Sequence, residues 1–455
     1  MSGWRLKSGG TIDRDRRVRF QWDGRSYEGF AGDTLASALL ANGISLVGRS
    51  FKYHRPRGLF AAGLEEPNGI VQLEADEATI PNLKATQIEL YDGLIATPVN
   101  VKPSLEFDLM AANSLVKRFI PAAFYYKTFM WPGWHWFEPS IRRAAGLGTA
   151  PAEPDPDAYE HRFAHTDILV VGAGAAGIAA ALAAAESGTS VMLVEVEPEL
   201  GGGLRDEKQP VEGQSATAWL KKATKALASK SNVTILRRTM AFGFYDHGLI
   251  GLHERIADHL PPDQRHGPRQ RLWKVRCGQV ILATGAFERP FPFARNDLPG
   301  VMLASSALSY LSRYAVAPGR NIVIATNNDS AYTVGLALHD AGIQISAIID
   351  SRTTVGACAR DAEEKAIRLI LGAAPVRAKG RLRIESVSFA PVSSTTETGS
   401  VGCDTLLVSG GWNPTVHLHS QSGACAASAQ RPSRPDASVY GRPSGCRRSL
   451  GRFAE

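Results

Sequence analysis

"DILVVGAGAAGIAAALAAAESGTSVMLVEVE", residues 167–197, decides how the rest of the chain is read. Ile168–Val171 is an apolar run of strand length. Gly172, Gly174 and Gly177 follow with the spacing GxGxxG, and the Ala-rich run Ile178–Ser187 has the composition of a helix. A second apolar run, Val191–Glu195, ends in an acid. Each part has a mechanical reason. Gly172 permits the tight turn, Gly174 lets backbone N–H groups approach a pyrophosphate, and Gly177 lets helix and strand pack closely. The helix start offers unpaired amides and the positive end of a dipole to phosphates. Glu195 stands 21 residues after Gly174, where an acid accepts hydrogen bonds from ribose hydroxyls. A carboxylate there repels a 2′-phosphate, which favours NAD or FAD over NADP.

Two later pieces fit the same α/β unit. "PELGGG", residues 198–203, places Gly202 and Gly203 shortly after the acid. "QVILATGAFERP", residues 279–290, is an apolar strand ending in Thr284-Gly285, where such folds bring the chain back past the cofactor. A second strand–turn–helix–strand unit spans residues 321–350 and ends in Asp350. Its turn, "TNNDSAY", lacks the glycine triplet. Asn327 and Asn328 tolerate unusual backbone angles, but their side chains crowd a pyrophosphate. This unit, inserted around residues 315–400, is expected to keep the fold and bind no second dinucleotide. The strand that leaves it is expected in "LLVSGGWNP", residues 406–414.

Residues 1–100 read as short strands with one helix. Asp23-Gly24 between two alternating runs is a hairpin signal. Asp33 or Thr34 caps a helix whose apolar face is Leu35, Ala38, Leu39 and Leu40, with Gly43 stopping it. This order fits a β-grasp, ferredoxin-like module. "RPRGLFAAGLEEPNGIV", residues 55–71, falls where a plant-type ferredoxin carries its cluster loop. A 2Fe–2S cluster needs thiolates, and the loop has Ala61, Ala62, Gly63, Leu64, Glu65 and Glu66 instead. No cluster is expected.

Residues 101–164 form a connector. Its Tyr125, Tyr126, Trp131, Trp134 and Trp136 suit either a partner surface or a packed inter-domain segment. "GTAPAEPDPDAYEH" reads as a linker. Residues 165–423 then alternate strand and helix patterns, an FAD/NAD-type nucleotide-binding domain. Residues 424–455, rich in Arg, Ser and Pro, show no period and read as disordered or aberrant.

The length of 455 residues suggests two or three domains. With 44% hydrophobic and 21% charged residues the composition is that of a globular protein. The net charge of +7 is concentrated in the tail, where Arg431, Arg434, Arg442, Arg447, Arg448 and Arg452 face only Asp436 and Glu455. The body is nearly balanced, so a nucleic-acid partner is not expected. The five cysteines, at 277, 358, 403, 425 and 446, form no CxxC pair. Scattered reduced thiols point to a cytoplasmic protein. The N-terminus carries no apolar targeting segment. The uncharged run 168–185 is a strand, turn and helix, so no membrane partner is expected. No catalytic residue and no metal site is assigned; the pair His417 and His419 reads as a loop or strand pair.

Taken in order, the cysteine-free module with "SFKYHRPRG", then GAGAAG, "ATGAFERP", "NDLPGVML", "ATNNDSAY" and "VSGGWNPTVHLHSQSG" resemble the alpha subunit of heterotetrameric sarcosine oxidase over residues 10–423. The resemblance implies a complex that oxidatively demethylates sarcosine to glycine with O2. The products are hydrogen peroxide and 5,10-methylenetetrahydrofolate. It implies beta, gamma and delta partners, NAD on this subunit, FAD and the sarcosine site on the beta subunit, and FMN in the complex. Carried onto this sequence, NAD contacts fall on Ala176 and its neighbours Gly172, Ala173, Gly174, Ala175 and Gly177. Glu195, Val196 and Glu197 fall at the ribose, Gly202-Gly203 at the turn, and Ala241 at the adenine. Thr284-Gly285 completes the set. Where the family shows an Asp-Glu-Arg-like run, this chain has Glu195-Val196-Glu197, so only Glu195 keeps the acid role. The family also continues past "HSQSG" into a folate domain. The chain therefore reads as a truncated or frameshifted fragment, inactive alone. A stand-alone FAD/NAD oxidoreductase, an opine or amine oxidase alpha subunit, and a non-catalytic NAD-binding scaffold are the competing readings.

Overall fold

A computed structural model of the chain describes residues 3–115, 128–207 and 209–423. The chain divides into two compact units. One takes in residues 1–158, 257–267 and 287–413; the other takes in 159–256, 268–286 and the chain from 414.

The first unit opens with the predicted hairpin. Asp13–Trp22 pairs antiparallel with Arg25–Ala31, and Asp23 and Gly24 both take positive φ, 50° and 74°. That mirror-image turn matches the twist of the strands it joins. The helix Leu35–Ala41 follows, capped by Thr34. The Thr34 hydroxyl accepts the Ser37 N–H at 3.2 Å, and the Ser37 hydroxyl accepts the Thr34 N–H at 3.0 Å. Asp33 does not cap because its carboxylate is already taken by Arg5, by the Phe30 N–H and by the Ser37 hydroxyl. All seven helix residues are buried. They belong to the core of a mixed sheet ordered Arg25–Ala31, Asp13–Trp22, Leu94–Pro98, Ile70–Leu73, Ile80–Lys84. Phe20 pairs with Leu94 in the parallel sense. This is the β-grasp arrangement.

The inserted unit is wider than its expected span of 315–400. Its five-stranded parallel sheet runs Val301–Leu303, Thr405–Ser409, Asn321–Thr326, Gln344–Asp350, Leu369–Leu371. Leu406 pairs with Val301 on one side and Val323 on the other, so strands outside the expected bounds are essential to the sheet. The strand expected within residues 406–414 is therefore central to the sheet. The insert does not stand apart from the N-terminal module either. Leu39 and Leu94 share one hydrophobic core with Tyr310 and Ile324. The Leu303 N–H bonds the Phe60 carbonyl at 2.8 Å, and the Tyr310 hydroxyl bonds the Ala61 carbonyl at 2.9 Å.

The second unit is a six-stranded sheet ordered Val233–Leu236, Val191–Val194, Ala158–Val171, Pro268–Leu282, Leu249–Arg255, Thr239–Tyr245. The first three are parallel. Thr239–Tyr245, Leu249–Arg255 and Pro268–Leu282 form an antiparallel meander. Helices Ala175–Glu186 and Ala216–Ala228 pack on the parallel part, with Ile178, Ala181, Trp219 and Leu227 in its core. The strand Ala158–Val171 begins inside the expected linker, because Glu160 is held there by Arg271. In the aromatic stretch Trp131 and Trp136 are 85% and 79% exposed, unlike residues of a packed connector. Tyr125, Tyr126 and the tail 424–455 lie outside the described residues. Among the described residues no helix is long and apolar enough to cross a membrane.

Candidate functional site: a dinucleotide turn

The three glycines of the turn do different work. Gly172 has φ 97°, and a Cβ there would meet the Ala283 carbonyl oxygen at 2.4 Å. A Cβ on Gly177 would lie 1.8 Å from the Gly172 carbonyl oxygen. Both are glycine for packing. Gly174 is the N-cap of the helix Ala175–Glu186, and a Cβ on it would meet no atom within 4 Å. Ala175 and Ala176 are exposed in the first helical turn, where N–H groups have no acceptor in their own helix.

Glu195 follows the strand Val191–Val194 and is buried. One carboxylate oxygen accepts the Ala173 N–H at 2.7 Å, and the other accepts the Glu197 N–H at 3.1 Å. Burial pushes its carboxyl above the ordinary range, against the pull of those N–H bonds. Val196 gives its carbonyl to Arg255 at 2.9 Å, and the Glu197 carbonyl accepts the Arg238 N–H at 3.1 Å. Of the two acids, Glu195 is the one whose carboxylate bonds an amide of the glycine turn.

The remaining expected residues divide. A Cβ on Gly202 would lie 3.2 Å from Gly174 Cα, so the two turns touch. Gly203 and Gly285 are exposed, with open space where a Cβ would stand. Thr284 follows Ala283, whose N–H bonds the Val171 carbonyl at 2.8 Å, and its hydroxyl bonds the Thr415 carbonyl at 2.7 Å. Ala241 pairs with Leu252 in the meander and packs on the core. Two residues before it on the same strand, the Thr239 N–H bonds the Glu195 carbonyl at 2.8 Å. Sequence reasoning passed over Gly201. This residue has φ 124°, and its N–H bonds the Ala173 carbonyl at 2.8 Å, which ties the second turn to the first. The Gly-Gly-Gly run held that signal.

The turn of the inserted unit is filled from within. Asn328 accepts the Ser330 N–H at 3.1 Å and donates to the Ser409 hydroxyl at 2.9 Å. Asp350, the acid in the ribose position, is taken by the Tyr332 hydroxyl at 2.9 Å and by Arg352 at 2.8 Å.

In the cluster-like loop, Glu66 is fully buried. Its carboxylate accepts N–H bonds from Phe60, Ala61, Asn68 and Gly69 at 2.6–2.9 Å. The Glu66 carboxyl group thus already occupies the amides of this loop. Among the described residues no group of three His, Cys, Asp or Glu is placed to hold a metal.

Comparison with known proteins follows these two features. Residues 15–100 match the family described as 2Fe-2S iron-sulfur cluster binding domain, and residues 167–245 match FAD dependent oxidoreductase. The first cysteine is Cys277, so the residues matched to the cluster domain do not fit a cluster held by thiolates. The glycine turn with its open face fits a dinucleotide. The crystal structure of L-proline dehydrogenase from P.horikoshii is similar in fold, with TM-score 0.60 and 21% identity over 92% of this chain and 65% of that one. Sarcosine oxidase subunit alpha of Rhizobium meliloti (strain 1021) is 46% identical over 93% of this chain and 42% of its own length. Its counterpart in Corynebacterium sp. (strain P-1) is 39% identical over 90% and 39%. The chain spans about two-fifths of the length of these relatives. Over 90–93% of its length the chain is similar to sarcosine oxidase alpha subunits, at 36–46% identity.

Proposed function

We propose that this chain holds NAD on the Gly172–Gly177 turn and serves as alpha-subunit sequence in a sarcosine-oxidising complex. One observation carries the binding part. Gly174, Gly203 and Gly285 each have open space where a Cβ would stand, beside first-turn amides and a fixed Glu195. The expected contacts are Gly172 to Gly177, Glu195, Val196 and Glu197, Gly202 and Gly203, Ala241, Thr284 and Gly285. When bound, NAD supplies a hydride acceptor; this chain's residues bind and orient it.

The kinship supports the rest of the reading. The complex is cytoplasmic and contains beta, gamma and delta subunits. It converts sarcosine and O2 to glycine, hydrogen peroxide and 5,10-methylenetetrahydrofolate. Sarcosine sits on the partner subunit, and FAD and FMN lie elsewhere in the complex. A second reading places FAD on the same turn, favoured by the match of residues 167–245 to FAD dependent oxidoreductases. It would make the chain a flavin oxidoreductase in its own right. Denaturing the purified chain and identifying the released nucleotide decides between them: NAD without a 450 nm flavin band supports the first, flavin the second. Co-expression with a beta subunit and a peroxide assay on sarcosine tests the complex.

A further inference from the structure

The segment Ser50–Gly58, "SFKYHRPRG", lies outside the dinucleotide turn. Gly48–Arg49 pairs antiparallel with Pro56–Arg57, and the His54 N–H bonds the Ser50 carbonyl at 3.0 Å, so the residues between close into a tight loop. His54 is held there at φ 48°, a conformation that a residue with a Cβ keeps only where its surroundings enforce it. Its ring is fully buried, with Nδ1 3.0 Å from an Asp108 carboxylate oxygen. Its carbonyl accepts from Arg49 at 2.9 Å. Nε2 of the same ring is buried without a hydrogen-bond partner. Buried polar atoms are nearly always paired, so an unpaired one asks for an explanation.

His54 lines a cavity of about 210 Å³ with Arg49, Tyr53, Arg55, Arg295 and Asp297. That is room for more than one water, whose share of liquid volume is about 30 Å³. Three guanidinium groups face one carboxylate. Asp297 is gripped by both Arg55 and Arg57, so its single charge is already over-matched. Arg49 spends its N–H groups on the carbonyls of Leu105 and His54. Arg295 is exposed, and among the described residues it has no ion pair. Arginine forks match carboxylate and phosphate oxygens in pairs.

We propose that this cavity binds a small oxyanion, a phosphoryl or carboxylate group, on Arg55 and Arg295, with His54 Nε2 as the deep polar partner. The site is independent of the dinucleotide turn. Calorimetric titration of the full chain with inorganic phosphate, and separately with succinate, is expected to show a saturable site that survives Gly174→Val. Arg295→Gln weakens it about tenfold, and His54→Gln does so at least as much. Arg17→Gln, an exposed arginine on the first strand, leaves it unchanged. Phosphate binding tighter than succinate assigns a phosphoryl ligand, and the reverse assigns a carboxylate. No saturable site for either anion overturns the proposal. So does equal weakening by Arg17→Gln and Arg295→Gln. The exposed Arg295 variant decides the matter even if His54→Gln fails to fold.

Discussion

The carboxylate of Glu195 accepts the backbone N–H of Ala173 at 2.7 Å, so the acid that would meet a ribose also clamps the glycine turn that would meet the phosphates. Glu195→Gln keeps the shape and removes the charge. Dinucleotide affinity is expected to fall about ten- to a hundredfold, in line with roughly 1.5–3 kcal/mol for hydrogen bonds to a charged group. Titration calorimetry on both proteins checks it. An unchanged affinity would place the ribose elsewhere.

Fold and binding separate at the glycines. Gly177→Ala drives a methyl into the Gly172 carbonyl oxygen and is expected to cost about 1–3 kcal/mol of stability, as overpacking does. Gly174→Val leaves the thermal melt close to the parent and abolishes nucleotide binding, because its side chain enters open space beside the first-turn amides. Melting curves with and without added NAD read both effects at once.

Glu66 predicts a pH dependence. Burial raises its native pKa, outweighing four N–H donors. A raised native pKa means folding favours the protonated form. Its stabilising contribution is fully present below the unfolded value of about 4.3 and is lost as pH rises through the native value. Urea unfolding between pH 4.5 and 8 is expected to show stability falling with pH, and Glu66→Gln should flatten that slope. A variant slope identical to the parent's would mean that Glu66 does not titrate there. Glu66→Ala, which leaves four amides unpaired, is expected to lose about 3 kcal/mol or more.

Arg5 and Asp33 make a bidentate pair at 3.0 and 2.7 Å, 12% and 0% exposed. Arg5→Ala strands a buried carboxylate and is expected to cost about 3–5 kcal/mol. The double variant Arg5→Met with Asp33→Asn should recover part of that loss. Denaturant midpoints of the three proteins test it.

The glycine turn, the hairpin at Asp23-Gly24 and the acid at Glu195 were legible because each rests on local backbone geometry. The helix cap was legible down to a choice between Asp33 and Thr34; Arg5, 28 residues away from Asp33, settled it. Core sharing between Leu39 and Tyr310 was not legible, since no periodicity records which face meets which. The edge strand Val301–Leu303 was missed for a related reason. That short apolar run shows its place only when Leu406 stands beside it. Glu66 carries no local signal for burial, and only the fold shows four amides converging on it.

The chain leaves the second unit at residue 286 and returns at 414, and Leu418 then enters its core while Gln421 accepts the Phe244 N–H at 2.8 Å. During synthesis neither unit can close before some 410 residues have emerged. At roughly 5–20 residues per second that is a wait on the order of tens of seconds. Through that interval the open edge of Thr239–Tyr245 and the apolar helix Leu35–Ala41 stay without their late partners. Chaperone demand and aggregation in the cell should therefore depend on how promptly the stretch from residue 287 to 421 is delivered.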